Sequence, residues 1–424
     1  MEWGAAGQHN AEMDDENGNR PRHQRRARFA PPFARPTITD AGNHQPPTTN
    51  HNNQQHQPVV PNLPHRERDT MVDLTKEMDF SVPPQIGSVI AGQAPVKTLK
   101  YHEDGIHCFA ASEGDSRLRL INCDSGNADR PAIKFEREGI RMAEPTHHDL
   151  CVLYSGKGSK EHPPAQRNAV HYLSLHDNKI LRNFSGHTGD ITNISMSPVD
   201  DMFISSSKDN TVRLWSLEKA GCVAELHLPP PSGLDSAPYA VFDGSGLVFG
   251  VATSLDDSSG DHAIHMYDAR NYKGGPFSEM KVTRNSIEAA LQGKGIASDV
   301  ASNLSRGKWN SMAFNKSGDQ ILVGADRGVG LVVNGFSDGQ VDHVLLAEGA
   351  ATQAETATFS GCFTPEDRTI VSGNQDGTIT CWDTKSGLMS CKLEGHPDRV
   401  GCVAANPKFA QIASSCSNTA LWTW

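Results

Sequence analysis

Hydrophobic and polar residues alternate along the chain in one recurring pattern. An Asp is followed, after two residues, by an aliphatic side chain, and a large apolar residue stands six positions after the Asp. A turn residue followed by alternating apolar positions is typical of a tight turn that leads into a β-strand. The pattern therefore predicts five equivalent strands. They are Asp115–Ile121, Asp209–Trp215, Asp261–Tyr267, Asp326–Val332 and Asp376–Trp382.

Two further short β segments precede this pattern, as in Ile194–Pro198 and Met202–Ser205. Strand, turn, strand, turn, strand at a spacing of roughly forty to sixty residues is typical of the blades of a β-propeller. Seven such units fit the chain, so the predicted fold is all-β, a seven-bladed propeller. The expected blade spans are 97–141, 142–180, 181–220, 221–275, 276–337, 338–385 and 386–424.

The dipeptides Gly186-His187 and Gly395-His396 make the repeat specific, because the segment from Phe184 to Trp215 resembles a complete WD repeat. This resemblance implies a buried hydrogen-bonded tetrad, in which the Asp accepts from backbone N–H groups and from the His. The Ser, His and Asp could instead be taken for a hydrolase triad. A triad needs an exposed nucleophile beside an oxyanion hole, whereas the repeat implies a buried structural network. The tetrad residues are His187, Ser205, Asp209 and Trp215.

The two ends of the repeat array set the expected closure of the ring. Ala420–Trp424 predicts the third strand of blade seven, so its outermost strand is expected from the start of the domain, near residues 95–100. In blade one, His102 precedes the turn Asp by thirteen residues, whereas blade three has twenty-two. Blade one is therefore expected to lack about one strand, or the gene model to contain an error. A Ser/Ala/Gly-rich insertion at 285–307 predicts a loop or a short helix.

The first 75 residues differ from the propeller, which we expect to occupy 76–424. Six arginines and no acid fall between Arg20 and Arg35, and no charged residue falls between Ala41 and His65. Such composition cannot bury enough apolar surface to offset chain entropy, so a disordered polar tail is expected. Its arginine tract is typical of a nuclear-import or RNA-contacting segment, and equally of a solvated tail.

Several strings outside the general repeat narrow the resemblance. Together they resemble the family of WD-repeat subunits of the SET-domain histone H3 methyltransferase (COMPASS) complex, the Swd-two and WD-repeat protein eighty-two family. The match covers roughly Val96 to Trp422. The strings are His171–Lys179, Ile194–Asp201, Lys273–Phe277 after Tyr267–Arg270, Phe363–Pro365, Asn406–Phe409 and Ala413–Asn418 before Leu421-Trp422.

The resemblance implies a nuclear, non-enzymatic scaffold that links the methyltransferase and its companion subunits to transcribing RNA polymerase II. Relatives do so by contacting the phosphorylated heptad-repeat tail, and they also act with protein phosphatase one and cleavage/polyadenylation factors. Candidate phosphate contacts are Lys208, Arg327 and Arg399, since a basic side chain beside a loop suits a phosphoserine. Another WD-repeat adaptor, a ubiquitin-ligase substrate receptor or a ribosome-assembly factor, is the alternative.

Composition restricts the remaining classes of function. A net charge of −11 argues against a nucleic-acid-binding surface over the whole molecule, and no direct DNA binding is expected. No run of about eighteen apolar residues predicts a membrane span. The pair His147-His148 and the nearby Cys151 lack the spacing of metal ligands, so no metal and no cofactor are expected.

Overall fold

Antiparallel sheets, each built on a set of four strands, follow one another along the chain. The computed structural model describes residues 37–39, 78–156, 167–229, 237–256, 259–350 and 357–424. Within these residues there are seven such sheets, which confirms the predicted seven-bladed propeller. The expectations for the rest of the N-terminal segment, including Arg20–Arg35, lie outside the described residues. No helix among the described residues is long and apolar enough to cross a membrane.

The second and third strands of the first three blades are buried at nearly every position, because successive side chains point to opposite faces and each face packs against a neighbouring blade. Their strands, from the channel outward, are β3 (Thr98–Tyr101), β4 (His107–Ser112), β5 (Arg117–Asn122) and the two short segments β6 (Asn127–Ala128) and β7 (Ile133–Lys134) in blade one; β8 (Met142–Pro145), β9 (Cys151–Ser155), β10 (Val170–Ser174) and β11 (Lys179–Phe184) in blade two; and β12 (Ile191–Met196), β13 (Met202–Ser207), β14 (Thr211–Ser216) and β15 (Ala224–His227) in blade three.

The remaining four blades repeat this arrangement, and the last takes its outermost strand from the beginning of the domain. The strands are β16 (Tyr239–Phe242), β17 (Val248–Asp256), β18 (Asp261–Asp268) and β19 (Ser278–Val282) in blade four; β20 (Trp309–Phe314), β21 (Gln320–Ala325), β22 (Val329–Asn334) and β23 (Val341–Leu346) in blade five; β24 (Ser360–Phe363), β25 (Thr369–Gly373), β26 (Thr378–Asp383) and β27 (Met389–Glu394) in blade six; and β28 (Cys402–Ala405), β29 (Gln411–Ser415), β30 (Thr419–Thr423) and β2 (Gln85–Ile90) in blade seven.

The predicted blade boundaries were shifted by about one strand. The outermost strands β15, β19, β23 and β27 each fall in the span assigned to the following blade. The reason is that the sequence repeat joins the outermost strand of one blade to the three inner strands of the next. The repeat in the sequence is therefore offset by one strand from the blade in the structure.

Ring closure also differs from the expectation. The outermost strand of blade seven is β2, which pairs with β30 so that Gln85 faces Thr423 and Ile90 faces Thr419. The segment predicted to close the ring, 95–100, instead contributes to β3, the innermost strand of blade one. An N-terminal strand does close the ring, but it lies about ten residues before the segment that was predicted to do so.

The same reassignment corrects blade one, which is not short of a strand. Because β3 ends at Tyr101, His102 follows the innermost strand, whereas His187 precedes the innermost strand of blade three. The two His residues are therefore not equivalent, and the comparison of their spacings was wrong. What is irregular in blade one is its outer edge, where β5 pairs with the separate segments β6 and β7.

Large apolar side chains fill the spaces between adjacent blades. Between blades three and four, Ile204 and Leu214 pack with Phe249 and Tyr267, and all four are 2% exposed or less. Burial of aromatic and aliphatic side chains on this scale is the main stabilising contribution to such a fold. The core is thus divided among the blade interfaces around the ring.

The insertion between blades four and five forms two short helices, α1 (Arg284–Gly293) and α2 (Ser298–Leu304). Helix α1 begins after Thr283, whose side chain accepts a hydrogen bond from the Ser286 amide, as N-cap residues do. Ile287 and Leu291 lie on one face and are buried against blade five together with Leu304 of α2. Outside the propeller itself, residues 37–39 form the short strand β1, which pairs with the outermost strand β15 of blade three.

Candidate functional site

The order of strands gives the propeller two distinct faces. Turns between the second and third strands, and the loops that lead from one blade to the next, lie on one side, which we call the upper face. Turns between the first and second strands, and between the third and fourth, lie on the opposite, lower face. The Gly-His pair stands in a loop between blades, and the Asp stands in the turn between the second and third strands. Both therefore belong to the upper face.

In blade three the structure brings the four tetrad residues together. The His187 Nδ1 atom lies 3.0 Å from Asp209 Oδ2, and its Nε2 atom lies 2.7 Å from Ser205 Oγ. The Trp215 Nε1–H group donates to the same Ser205 Oγ at 2.8 Å. With the His187 proton on Nδ1, Ser205 donates its hydroxyl proton to Nε2, and every polar group in the relay has a partner.

Asp209 is the end of this relay and also the centre of the turn. Its carboxylate accepts from the Thr188 amide at 2.8 Å and from the Thr211 amide at 3.0 Å. Burial alone would raise the pKa of Asp209, but hydrogen bonds from His187, Thr211 and the Thr188 amide hold that pKa well below its usual range. The ionised carboxylate is therefore built into the fold, and it joins the loop before blade three to the turn inside it.

Burial decides between the structural and the hydrolytic interpretation of these residues. His187 is 1% exposed and Ser205 is fully buried. The Ser205 hydroxyl oxygen already accepts from Trp215 and is not presented to solvent. A nucleophile must reach its substrate, so this Ser, His and Asp set has the arrangement of a structural network.

Blade seven contains a second relay that the sequence analysis did not identify. His396 Nε2 lies 2.6 Å from Ser414 Oγ, and Trp422 Nε1 donates to the same oxygen at 2.7 Å. Here the Sγ atom of Cys416, at 3.2 Å from His396 Nδ1, occupies the place of the Asp. The Gly395-His396 pair was the available signal. The turn is two residues shorter than in blade three, which conceals the Ser and the Trp from a search at fixed spacing.

The three candidate phosphate contacts all lie on the upper face but in separate places. Lys208 stands in the second turn of blade three, and its half-exposed side chain lies 3.9 Å from Asp190. Arg327 stands in the equivalent turn of blade five and donates to Asn303. Arg399 lies in the loop before blade seven and donates to Thr358. They belong to three different blades, and each contacts a different neighbour.

The central channel contains a pair of charges that sequence reasoning missed. Lys100 on β3 and Glu144 on β8 form an ion pair of 3.3 Å between the innermost strands of blades one and two. The charge of Glu144 raises the pKa of Lys100, while burial raises the pKa of Glu144 more than Lys100 lowers it. The sequence had placed Lys100 in the closing strand. Because Lys100 instead lies on β3, the innermost strand of blade one, its side chain faces the channel.

Comparison with known families agrees with this geometry. The model described as "WD domain, G-beta repeat" matches residues 178–216 and 356–383, which include the tetrad of blade three. The seven sheets, the relay in blade three and these two matches define the chain as a WD-repeat β-propeller.

Among individual proteins, the chain is 28% identical to WD repeat-containing protein 82 of Drosophila melanogaster over 77% of the chain and 90% of that protein. It is 24% identical to COMPASS component SWD2 of Saccharomyces cerevisiae, over 76% of the chain and 88% of the relative. Set1 complex component swd2 of Schizosaccharomyces pombe is 23% identical, over 77% and 92%. The resemblance to the Swd-two and WD-repeat protein eighty-two family is thus confirmed.

Proposed function

We propose that this protein is a non-enzymatic scaffold subunit of a nuclear histone H3 lysine methyltransferase complex. The main support is the similarity to relatives named as COMPASS and Set1 complex components. It extends over about three quarters of this chain and nearly the whole length of those relatives. A shared propeller of this extent offers the same set of loops and edges to partner subunits. A relay with a buried hydroxyl and a buried imidazole, as in blade three, fits a scaffold.

We further propose that the scaffold links the complex to transcribing RNA polymerase II through its phosphorylated tail. Support comes from the position of Lys208, Arg327 and Arg399 on the upper face, where basic side chains can make charge-assisted hydrogen bonds to a phosphoserine. Because the three lie in different blades, an extended peptide with several phosphates suits them better than a single phosphate. Protein phosphatase one and cleavage/polyadenylation factors are further proposed partners.

The complex is tested by affinity purification of the full chain from nuclei followed by mass spectrometry. We expect a SET-domain methyltransferase and its companion WD-repeat subunits, with phosphatase or termination factors in a second set. Recovery of cullin adaptors or ribosome-assembly factors without any of these would replace the proposal by the alternative, another WD-repeat adaptor, and would leave the fold unaffected.

Peptide binding is tested by fluorescence anisotropy with heptad-repeat peptides in phosphorylated and unphosphorylated form. Replacement of one direct phosphate contact by Ala should weaken binding of the phosphorylated peptide by about ten- to a hundredfold, since charged hydrogen bonds contribute roughly 1.5–3 kcal/mol. Lys219→Ala is the matched control, because this exposed lysine lies in a turn of the lower face. Equal binding of both peptide forms would remove the polymerase link without touching the membership of the complex.

A further inference from the structure

A cluster of His and Asp side chains lies on the lower face, where the first turns of blades one and two meet. The turn of blade one supplies His102 and Asp104, and the turn of blade two supplies Asp149. Their ligand-type atoms, the imidazole nitrogen and one oxygen of each carboxylate, all lie within 4.8 Å of one another. The sequence conceals this cluster, because Asp149 follows His102 by more than forty residues.

The imidazole of His102 is held in one orientation. The residue is 4% exposed, and its Nε2 atom lies 3.0 Å from the Thr146 carbonyl oxygen. A carbonyl only accepts, so Nε2 carries a proton and Nδ1 of the neutral ring presents a lone pair. The Asp104 amide makes a long contact of 3.3 Å with that lone pair, and a metal ion at Nδ1 would replace this contact. Histidines that bind metals are commonly fixed in this way, with the second nitrogen donating to a backbone carbonyl.

The lone pair of His102 faces negative charge. The Asp104 Oδ2 atom lies 3.1 Å from His102 Nδ1, and it also lies 2.9 Å from His107 Nδ1. Two lone pairs at such a distance repel unless a proton or a metal cation stands between them. The Oδ1 atom of Asp104 accepts from the Ile106 and His107 amides, so the carboxylate cannot turn away without losing two hydrogen bonds.

The donor set selects a class of cation. One imidazole nitrogen and two carboxylate oxygens suit Zn²⁺ and similar divalent transition ions, whereas Mg²⁺ and Ca²⁺ prefer oxygen ligands alone. Tetrahedral ligands about 2.0–2.2 Å from a common ion stand about 3.5 Å apart. Atoms within 4.8 Å of one another therefore need to approach by up to about 1.3 Å, and Asp149, which is exposed, belongs to a surface turn that can make this movement.

From this geometry we infer that the chain binds a divalent transition-metal ion of the zinc class through His102 Nδ1, Asp104 and Asp149. The ion joins the first turn of blade one to that of blade two. Blade one has the interrupted outer edge described above, so a link to its neighbour stabilises the least regular sheet of the ring. Beside the cluster, His147 of blade two pairs with Glu103 of blade one at 2.9 Å and keeps the two turns adjacent.

The test uses the full chain without an affinity tag, treated with EDTA and then titrated with ZnCl₂ in a calorimeter and in thermal melts. The parent should bind one equivalent at this site, and its melting temperature should rise by several degrees when Zn²⁺ is in large excess over the dissociation constant. Asp149→Asn should weaken this binding by at least about tenfold. The substituted residue is exposed, so the fold should tolerate it.

His148→Gln is the matched control, because His148 is exposed, lies in the same turn and is outside the cluster. It should bind Zn²⁺ as the parent does. Equal affinity of Asp149→Asn and the parent would overturn the inference, since the metal would then bind at other histidines among the nineteen in the chain. Absence of any Zn²⁺-dependent heat or melting shift would also overturn it, and a proton on His102 would then account for the contact with Asp104.

Discussion

Blades three and seven contain the same Trp–Ser–His relay, but they end it differently and they are assembled differently. In blade three the relay ends on an ionised Asp209, and all four strands come from the continuous segment 191–227. In blade seven it ends on the thiol of Cys416, and burial lowers the pKa of His396. The fourth strand of blade seven comes from the other end of the domain.

This difference indicates that the relay and the ring closure stabilise the propeller in separate ways. Blade three is held by local contacts with a charge at their centre. Blade seven has an uncharged relay and depends on pairing between β2 and β30, which stand at opposite ends of the propeller sequence. A change in the relay should therefore matter more in blade three, and a change at the edge strand should matter more in blade seven.

The largest effect is expected from deletion of residues 1–91, which removes β2. It should cost on the order of 5 kcal/mol, at about 1 kcal/mol for each backbone hydrogen bond lost, and should leave β30 as an open edge. Deletion of 1–70 is the matched control: it removes only the three-residue strand β1 from the edge of blade three, so it should lower the melting temperature far less, although nuclear accumulation should fall if the arginine tract is the import signal. Thermal melts that rank the two deletions the other way would contradict closure by β2.

The next effect is that of Asp209→Ala in blade three. It removes the acceptor of His187 and of two backbone amides, and should cost on the order of 2–4 kcal/mol because buried donors are left without a partner. Urea or thermal unfolding of variant and parent measures the difference. Coincident unfolding curves would show that the relay around Trp215 contributes no stability.

A smaller effect is expected from acid. Because the pKa of Asp209 is lowered in the folded state, its contribution is complete above the unfolded pKa of about 3.9 and is lost as the pH falls from there towards the folded pKa. The melting temperature of the parent should therefore fall more steeply below about pH 4 than that of Asp209→Asn, which has no carboxylate to titrate. If the melting temperatures of parent and variant fall in parallel with pH, groups other than Asp209 cause the sensitivity to acid.

The smallest effect is expected from Cys416→Ala in blade seven. A thiol is a weak hydrogen-bonding partner, so its loss from His396 should cost no more than about 1 kcal/mol. The ratio of this value to that of Asp209→Ala measures directly how much the charge adds to the relay. A cost equal to that of Asp209→Ala would mean that the charge of Asp209 adds nothing to the stability that the relay provides.

The sequence predicted features that depend on residues close to one another. The turn Asp, the strand that follows it and the Gly-His pair lie within about thirty residues, and they led to the seven blades and to the four residues that meet in blade three. The closing strand was misplaced because β2 is a largely exposed edge strand with little apolar pattern. The turn in which a residue such as Lys208 stands predicts the face on which it lies. It does not predict the residue with which its side chain forms an ion pair.

Features that depend on distant residues were not visible. Lys100 and Glu144 meet only when the register of the innermost strands is known. His102 and Asp149 meet only because the first turns of adjacent blades lie side by side. In both cases the decisive distance is set by the rotation from one blade to the next, which no local pattern encodes.

Pairing of β2 with β30 also bears on how the protein is made by the ribosome. β2 leaves the exit tunnel early, and its partner is synthesised roughly 330 residues later. At about 5–20 residues per second, this interval lasts on the order of tens of seconds. Throughout it the nascent chain carries an unpaired strand that can join a wrong edge, within its own polysome or on a neighbouring one. A chaperone that holds the amino-terminal strand until translation terminates would therefore raise the yield of closed rings more than one that acts after release.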